Sequence, residues 1–319
     1  MGISQYIKEI GRGKDGARAL TRVQAADLFG QVLDGSVTDL EVGGFCLAMR
    51  IKGETAQEMA GFLDATNARL AHVPAPGGTP CVVLPSYNGA RKLPVLTPLL
   101  ALLLARRGCA VLVHGTATES TRVFTSTVLQ ALDIPAQTAI SLLAEGSVAF
   151  YPTEVLSPGL KRLLDVRRAV GLRNPAHSLV KLMNPCTAPA VVVGSYTHPE
   201  YAVSMAAVFS LMQSHAMLLR GTEGEPVADA RRTPQMLGFV NGQQSMLQEA
   251  QGGSLASLPE LPLGTAPQAT AAYIQRVLAG ELPVPTPIAT QVEQILLLTK
   301  TAKATKALPK LNQPSSLHA

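Results

Sequence analysis

The chain has 319 residues, 47% of them hydrophobic and 15% charged, with 27 basic against 22 acidic side chains and a net charge of +5. That is length for one large domain or two modest ones with an ample core. Aromatic residues are only 4% and Trp is absent, which excludes a single-strand binder led by base stacking.

Residues 21–33 place Val23, Ala26, Leu28, Phe29, Val32 and Leu33 at helical spacing, and Asp34-Gly35 ends that helix. Thr38-x-x-Glu41 reads as a capping box opening a second helix through Met49. Glu54-Thr55 opens a third over 56–70. Together these predict a helical subdomain over residues 1–76. Pro74, Pro76, Gly77, Gly78 and Pro80 mark a hinge.

The texture then changes. Short apolar runs at 82–84, 110–114, 190–194 and 216–220 alternate with helical patterns at 99–107 and near 124–132. This predicts a parallel sheet flanked by helices, an α/β domain over 77–319. An Arg-rich helix over 159–172 breaks the alternation, so that about 159–185 is expected to rejoin the helical subdomain. Residues 252–264 read as a loop. Helices are expected at 268–278 and 287–300, the second leading into a basic tail at about 300–319.

The strand at 82–84 runs into a turn at Asn88-Gly89 and then towards a helix start at Thr97-Pro98. Unpaired N–H groups and a helix dipole converge in such a place, which suits an anion. A backbone nest for a sugar pyrophosphate usually needs several glycines. Here there is one, Gly89, followed by Arg91 and Lys92, so phosphate contact is expected from these cationic arms together with the loop amides.

Charge is unevenly spread. Residues 91–122 hold Arg91, Lys92, Arg106, Arg107 and Arg122 against Glu119 alone. Residues 161–181 hold Lys161, Arg162, Arg167, Arg168, Arg173 and Lys181 against Asp165 alone. The acids gather at 34–58 and 223–229. A basic face results, joined in this reading by Arg220 and by Lys300, Lys303 and Lys306 of the tail. The tail lysines are read first as a solvated, frayed terminus. The four cysteines lack metal spacing and suggest no disulfide framework. The longest apolar stretch, 93–105, is too short to span a bilayer, and the first residues lack the apolar core of a secretion signal. A cytoplasmic location without membrane contact is the expectation.

Residues 166–185, VRRAVGLRNPAHSLVKLMNP, resemble a signature stretch of the anthranilate phosphoribosyltransferase family, in which a VRRELG-R-like helix runs into an NLLGPLLNP-like segment. The order of the chain resembles the family's over roughly 1–245. That resemblance implies a nucleoside phosphorylase/phosphoribosyltransferase class of fold and a homodimer. Within the superfamily, PSYNGARK, LTPLLALLL, RNPAHSLVKL, THPEY and RGTEGEPVAD resemble a YbiB-like branch, whose likeness implies nucleic-acid binding without transferase activity.

Departures from the enzymes point the same way. Their GTGGDG-like loop keeps only its last Gly here, as Gly89. Their KHGNR element reads Val113-His114-Gly115-Thr116-Ala117, with both cations gone. His114 is then expected to be a hydrogen-bonded histidine at a strand end. The Asp-Glu pair that would hold magnesium falls on Pro226 and Val227, with Glu223 and Glu225 offset from it. Largely non-specific nucleic-acid binding, with no cofactor, is therefore expected through Asn88, Gly89, Arg91, Lys92, Arg122, Arg167, Arg168, Arg173, Lys181 and Arg220. The alternative is a transferase using phosphoribosyl pyrophosphate and magnesium, with Arg167 or Arg168 holding the acceptor and Glu223 or Glu225 the metal. DNA or RNA, single or double strand, stays open.

Overall fold

The computed structural model describes residues 2–13, 15–254 and 258–307, with side chains described to residue 302. Four helices come first: α1 (Ser4–Ile10), α2 (Arg22–Asp34), α3 (Asp39–Lys52) and α4 (Ala56–Asn67). Threonine starts three of them. Thr21, Thr38 and Thr55 each accept the backbone N–H of Gln24, Glu41 and Glu58 with their side chain and in return donate their own backbone N–H to that residue's side chain. Glu58 does more than cap. It is fully buried, takes the Leu20 N–H at 2.9 Å and pairs with Lys52 at 2.6 Å, tying the approach to α2 onto α4. Phe29 and Phe62 stack at 4.6 Å with Phe45 edge-on, which makes the centre of this subdomain aromatic.

The second domain runs β1 (Cys81–Pro85), α5 (Thr97–Arg106), β2 (Ala110–Gly115), α6 (Thr125–Ala131) and β3 (Val148–Pro152). Three helices follow, α7 (Thr153–Leu156), α8 (Pro158–Val170) and α9 (Ala176–Leu179). Next come β4 (Ala190–Tyr196), α10 (Pro199–Leu211), β5 (Ala216–Arg220), β6 (Met236–Val240), β7 (Gln243–Gln248), α11 (Pro267–Leu278) and α12 (Thr286–Ala307). Helix α8 packs against α2 of the helical subdomain. Gly159 approaches the Leu33 backbone so closely that a Cβ would lie 2.2 Å from its carbonyl, and Arg162 donates to the same oxygen at 2.8 Å.

The sheet order is β3-β2-β1-β4-β5-β6-β7. The first five are parallel and the last two antiparallel, so the sheet is mixed rather than wholly parallel. The hairpin joining β6 to β7 turns on Asn241-Gly242, both at positive φ (49° and 76°), the signal of a two-residue turn. Neither that hairpin nor β3 and α10 were among the expected elements. Among the described residues no helix is long and apolar enough to cross a membrane.

The chain steps outward from β1 to β2 and β3, then returns to lay β4 on the other side of β1. Strand order reverses there. The loops leaving the carboxyl ends of β1 and β4 part at that point and open a crevice, the usual place for a ligand in such sheets.

Candidate functional site: a crevice with its own anions

A cavity of about 610 Å³ lies in this crevice, between α3–α4 of the helical subdomain and the ends of β1 and β4. Asn88, Arg122, Arg173, His177, Lys181 and Tyr201 are among its lining residues.

The loop after β1 is built as an anion cradle, and the chain fills it. The Glu225 side chain is 1% exposed. One of its carboxylate oxygens accepts the backbone N–H of Asn88 (2.8 Å) and Gly89 (2.7 Å). The other lies against the hydroxyls of Ser86, Thr97 and Thr125. Thr97 opens α5, so the positive end of that helix faces the same carboxylate. A second carboxylate, from Glu223, accepts the N–H groups of Arg91 (2.5 Å), Lys92 (2.8 Å) and Leu93 (3.2 Å).

Both glutamates come from the turn after β5, and that turn is bolted in place. Gly224 carries φ +85°, and a Cβ there would stand 2.0 Å from the Asn88 amide nitrogen, so only glycine fits. The Gly224 carbonyl accepts from Ser195 Oγ (2.7 Å) and Lys181 Nζ (3.0 Å). Asn88 Nδ2 donates to the Glu223 carbonyl at 2.9 Å.

These contacts correct part of the expected site. The amides of Asn88 and Gly89 face a buried carboxylate rather than an incoming phosphate. Lys181 is not a surface cation. It is 8% exposed and bonds backbone carbonyls. Burial pushes its pKa down to about 8, Glu225 partly restores it, and Arg173 opposes it. His114 is buried at the end of β2 with Nδ1 2.7 Å from the Tyr87 hydroxyl, and burial pushes its pKa down to about 3. It stays neutral, as a hydrogen-bonded histidine at a strand end.

The cations divide into two groups. Arg122 and Arg167 share Glu119, and Arg122 also donates to the Asn88 carbonyl at 3.0 Å, which props the loop. Burial raises the Glu119 pKa, but the two arginines outweigh it and the net shift is downward. The second group carries no ion pair among the described residues. Arg91 and Lys92 are exposed beside the loop, Arg220 is exposed at the end of β5, and Arg173 is half-buried on the cavity wall. Burial, then neighbouring Arg167, hold the Arg173 pKa below the usual arginine value. Arg168 points away from this pairing, exposed and 3.6 Å from Asp165. Lys300 is exposed within α12. Lys303 and Lys306 lie on the same helix, but their side chains and the tail from 308 fall outside the described residues.

Sequence reading overlooked Arg50, exposed on α3 at the cavity rim, and His177, buried on α9 with Nε2 lacking a partner among the described residues. It also considered Glu223 and Glu225 only as metal ligands. The clue to their actual place was the Gly-x-Glu-Gly-Glu spacing of 221–225, where flanking glycines allow a carboxylate turn to press against another loop.

The helical bundle domain of a glycosyl transferase family matches residues 4–69, and the a/b domain of that family matches residues 92–311. The chain belongs to glycosyl transferase family 3. It is 39% identical to the uncharacterized protein YbiB of Escherichia coli (strain K12), across 98% of this chain and 99% of that one. It is 30% identical to the anthranilate phosphoribosyltransferase of Nocardioides sp. (strain ATCC BAA-499 / JS614), over 64% of this chain and 61% of the relative. The fold matches the solved anthranilate phosphoribosyltransferase of Thermus thermophilus with a TM-score of 0.67 at 20% identity, covering 93% of this chain and 98% of that one. The Saccharomyces cerevisiae enzyme in complex with PRPP and Mg matches with a TM-score of 0.66 at 14% identity, covering 95% and 93%.

For the magnesium and pyrophosphate that this family fold implies, the donor set does not fit. Glu225 is buried and enclosed by five donors, and Glu223 already accepts three backbone N–H groups. Pro226 and Val227 have no side-chain donor for a hard cation. Among the described residues no group of three or more His, Cys, Asp or Glu side chains is placed to hold a metal ion.

Proposed function

We propose that this chain binds nucleic acid, largely without regard to sequence, on a phosphoribosyltransferase-like scaffold. The observation that carries the reading is the filled cradle. Two internal carboxylates occupy the amides that a pyrophosphate would need, while Arg50 and Arg173 line the crevice, and Arg91 and Lys92 are exposed on the loop after β1, all without ion pairs among the described residues. Cations without partners beside a cradle that Glu225 seals suit a polyanion that lies along the crevice. Few aromatic side chains are available for stacking, which favours phosphate contact over base readout.

A homodimer is part of the proposal. On α3, Leu40 (87% exposed), Leu47 (43%) and Ile51 (71%) follow one helical face, an apolar stripe suited to a second copy. A two-fold through this stripe gives the assembly two basic crevices.

The test is fluorescence anisotropy with labelled single-stranded DNA, duplex DNA and RNA of unrelated sequence across a salt series. Binding with a steep negative log–log salt slope is expected, and its size gives the number of phosphates neutralised. Absence of binding at low salt overturns the reading. The competing reading is phosphoribosyl transfer, which the 30% identity to an anthranilate phosphoribosyltransferase favours. Phosphoribosyl pyrophosphate with magnesium would then raise the melting temperature. No rise is expected.

A further inference from the structure

The two internal carboxylates are held differently. Glu225 is sealed in by hydroxyls and amides. Glu223 is partly exposed, and its backbone sits at φ +51°, in the left-handed region that a non-glycine residue rarely adopts. Its carboxylate rests on three consecutive amides, those of residues 91 to 93, which converge as a nest. The side chains of Arg91 and Lys92 spring from the same nest and are exposed, without an ion pair among the described residues. Whatever anion occupies this position therefore has three N–H donors, with two flexible cationic side chains rooted in the same three residues. A carboxylate brings one negative charge. A phosphate brings more acceptor oxygens and suits the neighbouring guanidinium better.

Exchange requires little movement. The Glu223 carbonyl stays pinned by Asn88 and the Gly224 carbonyl by Lys181 and Ser195, so the turn holds while the Glu223 side chain rotates outward. We infer that residues 91–93 form an exchangeable phosphate site, kept closed by the Glu223 carboxylate and opened when a phosphate group displaces it. The identity of that phosphate as part of a nucleic acid rests on the function proposed above. The site itself rests on the nest, its internal occupant and its unpaired cations.

Two probes separate these levels: a labelled oligonucleotide followed by anisotropy, and inorganic phosphate followed by the amide resonances of residues 91–93 in 15N-labelled protein. Glu223→Ala vacates the nest. Glu249→Gln, at an exposed position outside the crevice, is the control for losing one negative charge. Glu223→Ala is expected to bind the oligonucleotide about fivefold more tightly than wild type. Glu249→Gln should change affinity less than about twofold, the scale of a distant screened charge. Phosphate should move the three amides at lower concentration in Glu223→Ala than in wild type. Should Glu223→Ala fail to fold, Glu223→Gln, which keeps the shape and loses the charge, makes the same comparison.

If phosphate does not move the amides in wild type or variant, the inference is overturned, whatever the oligonucleotide does. If the amides respond but oligonucleotide affinity does not rise, the site takes free phosphate and stands with that source. If no form of the protein binds oligonucleotide, the nucleic-acid reading fails and the phosphate titration decides the site alone.

Discussion

On the β1 side of the crevice five loop amides already face a carboxylate: Asn88 and Gly89 meet Glu225, and Arg91, Lys92 and Leu93 meet Glu223. On the opposite wall, Arg173 from the segment after α8 and Arg50 from α3 meet no carboxylate among the described residues. Both sides attract negative charge. The first meets that demand internally and gains rigidity, whereas the second leaves it to solvent or to a ligand. The difference separates what holds the crevice in shape from what it can offer a partner.

The sharpest way to break the comparison is to empty the buried side. Glu225→Ala leaves two amides, three hydroxyls and the nearby buried Lys181 without their anion, and should cost about 3–5 kcal/mol in urea unfolding. A loss under about 1 kcal/mol would mean that solvent replaces the carboxylate freely, and the two sides would then be alike.

Acid should strain the rigid side next. Burial depresses the pKa of His114 to about 3 and that of His177 to about 4, so the unfolded chain binds protons that the folded chain refuses. Their stabilising effect is complete above about pH 6.5. It is lost as pH falls towards those lower values, at about 1.4 kcal/mol per pH unit for each histidine. Lys181 acts in the alkaline range. Its folded pKa of about 8 lies below the ordinary 10.5, so stability should rise with pH between those values. Lys181→Met should abolish that rise in a pH series of melting temperatures.

The steric lock gives a smaller effect. Gly224→Ala places a Cβ against Asn88 at positive φ and should cost about 1–3 kcal/mol. It should also shift the amides of 88 and 89, because the turn must back away.

The unpaired cations of both sides should hardly affect folding. Replacing Arg50, Arg91 and Lys92 by Ala should leave the melting temperature within about 2 °C, since exposed charges contribute little. It should weaken binding to unrelated oligonucleotides about equally and flatten the log–log salt slope by about one for each phosphate no longer neutralised. Weakening confined to one sequence would mean that base edges are read.

Most of the architecture was legible because it rests on local chemistry. Thr38 and Thr55 announce their helices, buried apolar runs announce β1, β2, β4 and β5, and VRRAVGLRNP marks the segment around α8. The elements that were missed have competing signals. β3 is only partly buried, and its short apolar run, Val148 to Tyr151, closes on Pro152, which reads as a strand end or turn. β7, with Gln243, Gln244 and Ser245 exposed, reads as loop although Asn241-Gly242 announces its turn. Within the site, the exposed cations Arg91, Lys92 and Arg220 could be read from composition. The burial of Lys181 and the engagement of Asn88 and Gly89 could not. Those depend on a turn more than 130 residues away settling on the loop after β1, with separations of 137 and 136 residues for the two amides.

Those separations bear on how the molecule assembles. Asn88 is gripped through its N–H by Glu225, through its carbonyl by Arg122 and through its side chain by the Glu223 backbone. Only the Arg122 grip, at 34 residues, is short in sequence. The bundle around Phe29, Phe45 and Phe62 closes over far shorter loops and is expected to form first. The crevice should then be a late structure, absent from the folding transition state. In rapid-mixing experiments Asn88→Ala should accelerate unfolding and leave the refolding rate nearly unchanged. The residue that joins three segments would thus govern how long the finished molecule lasts rather than how quickly it is made.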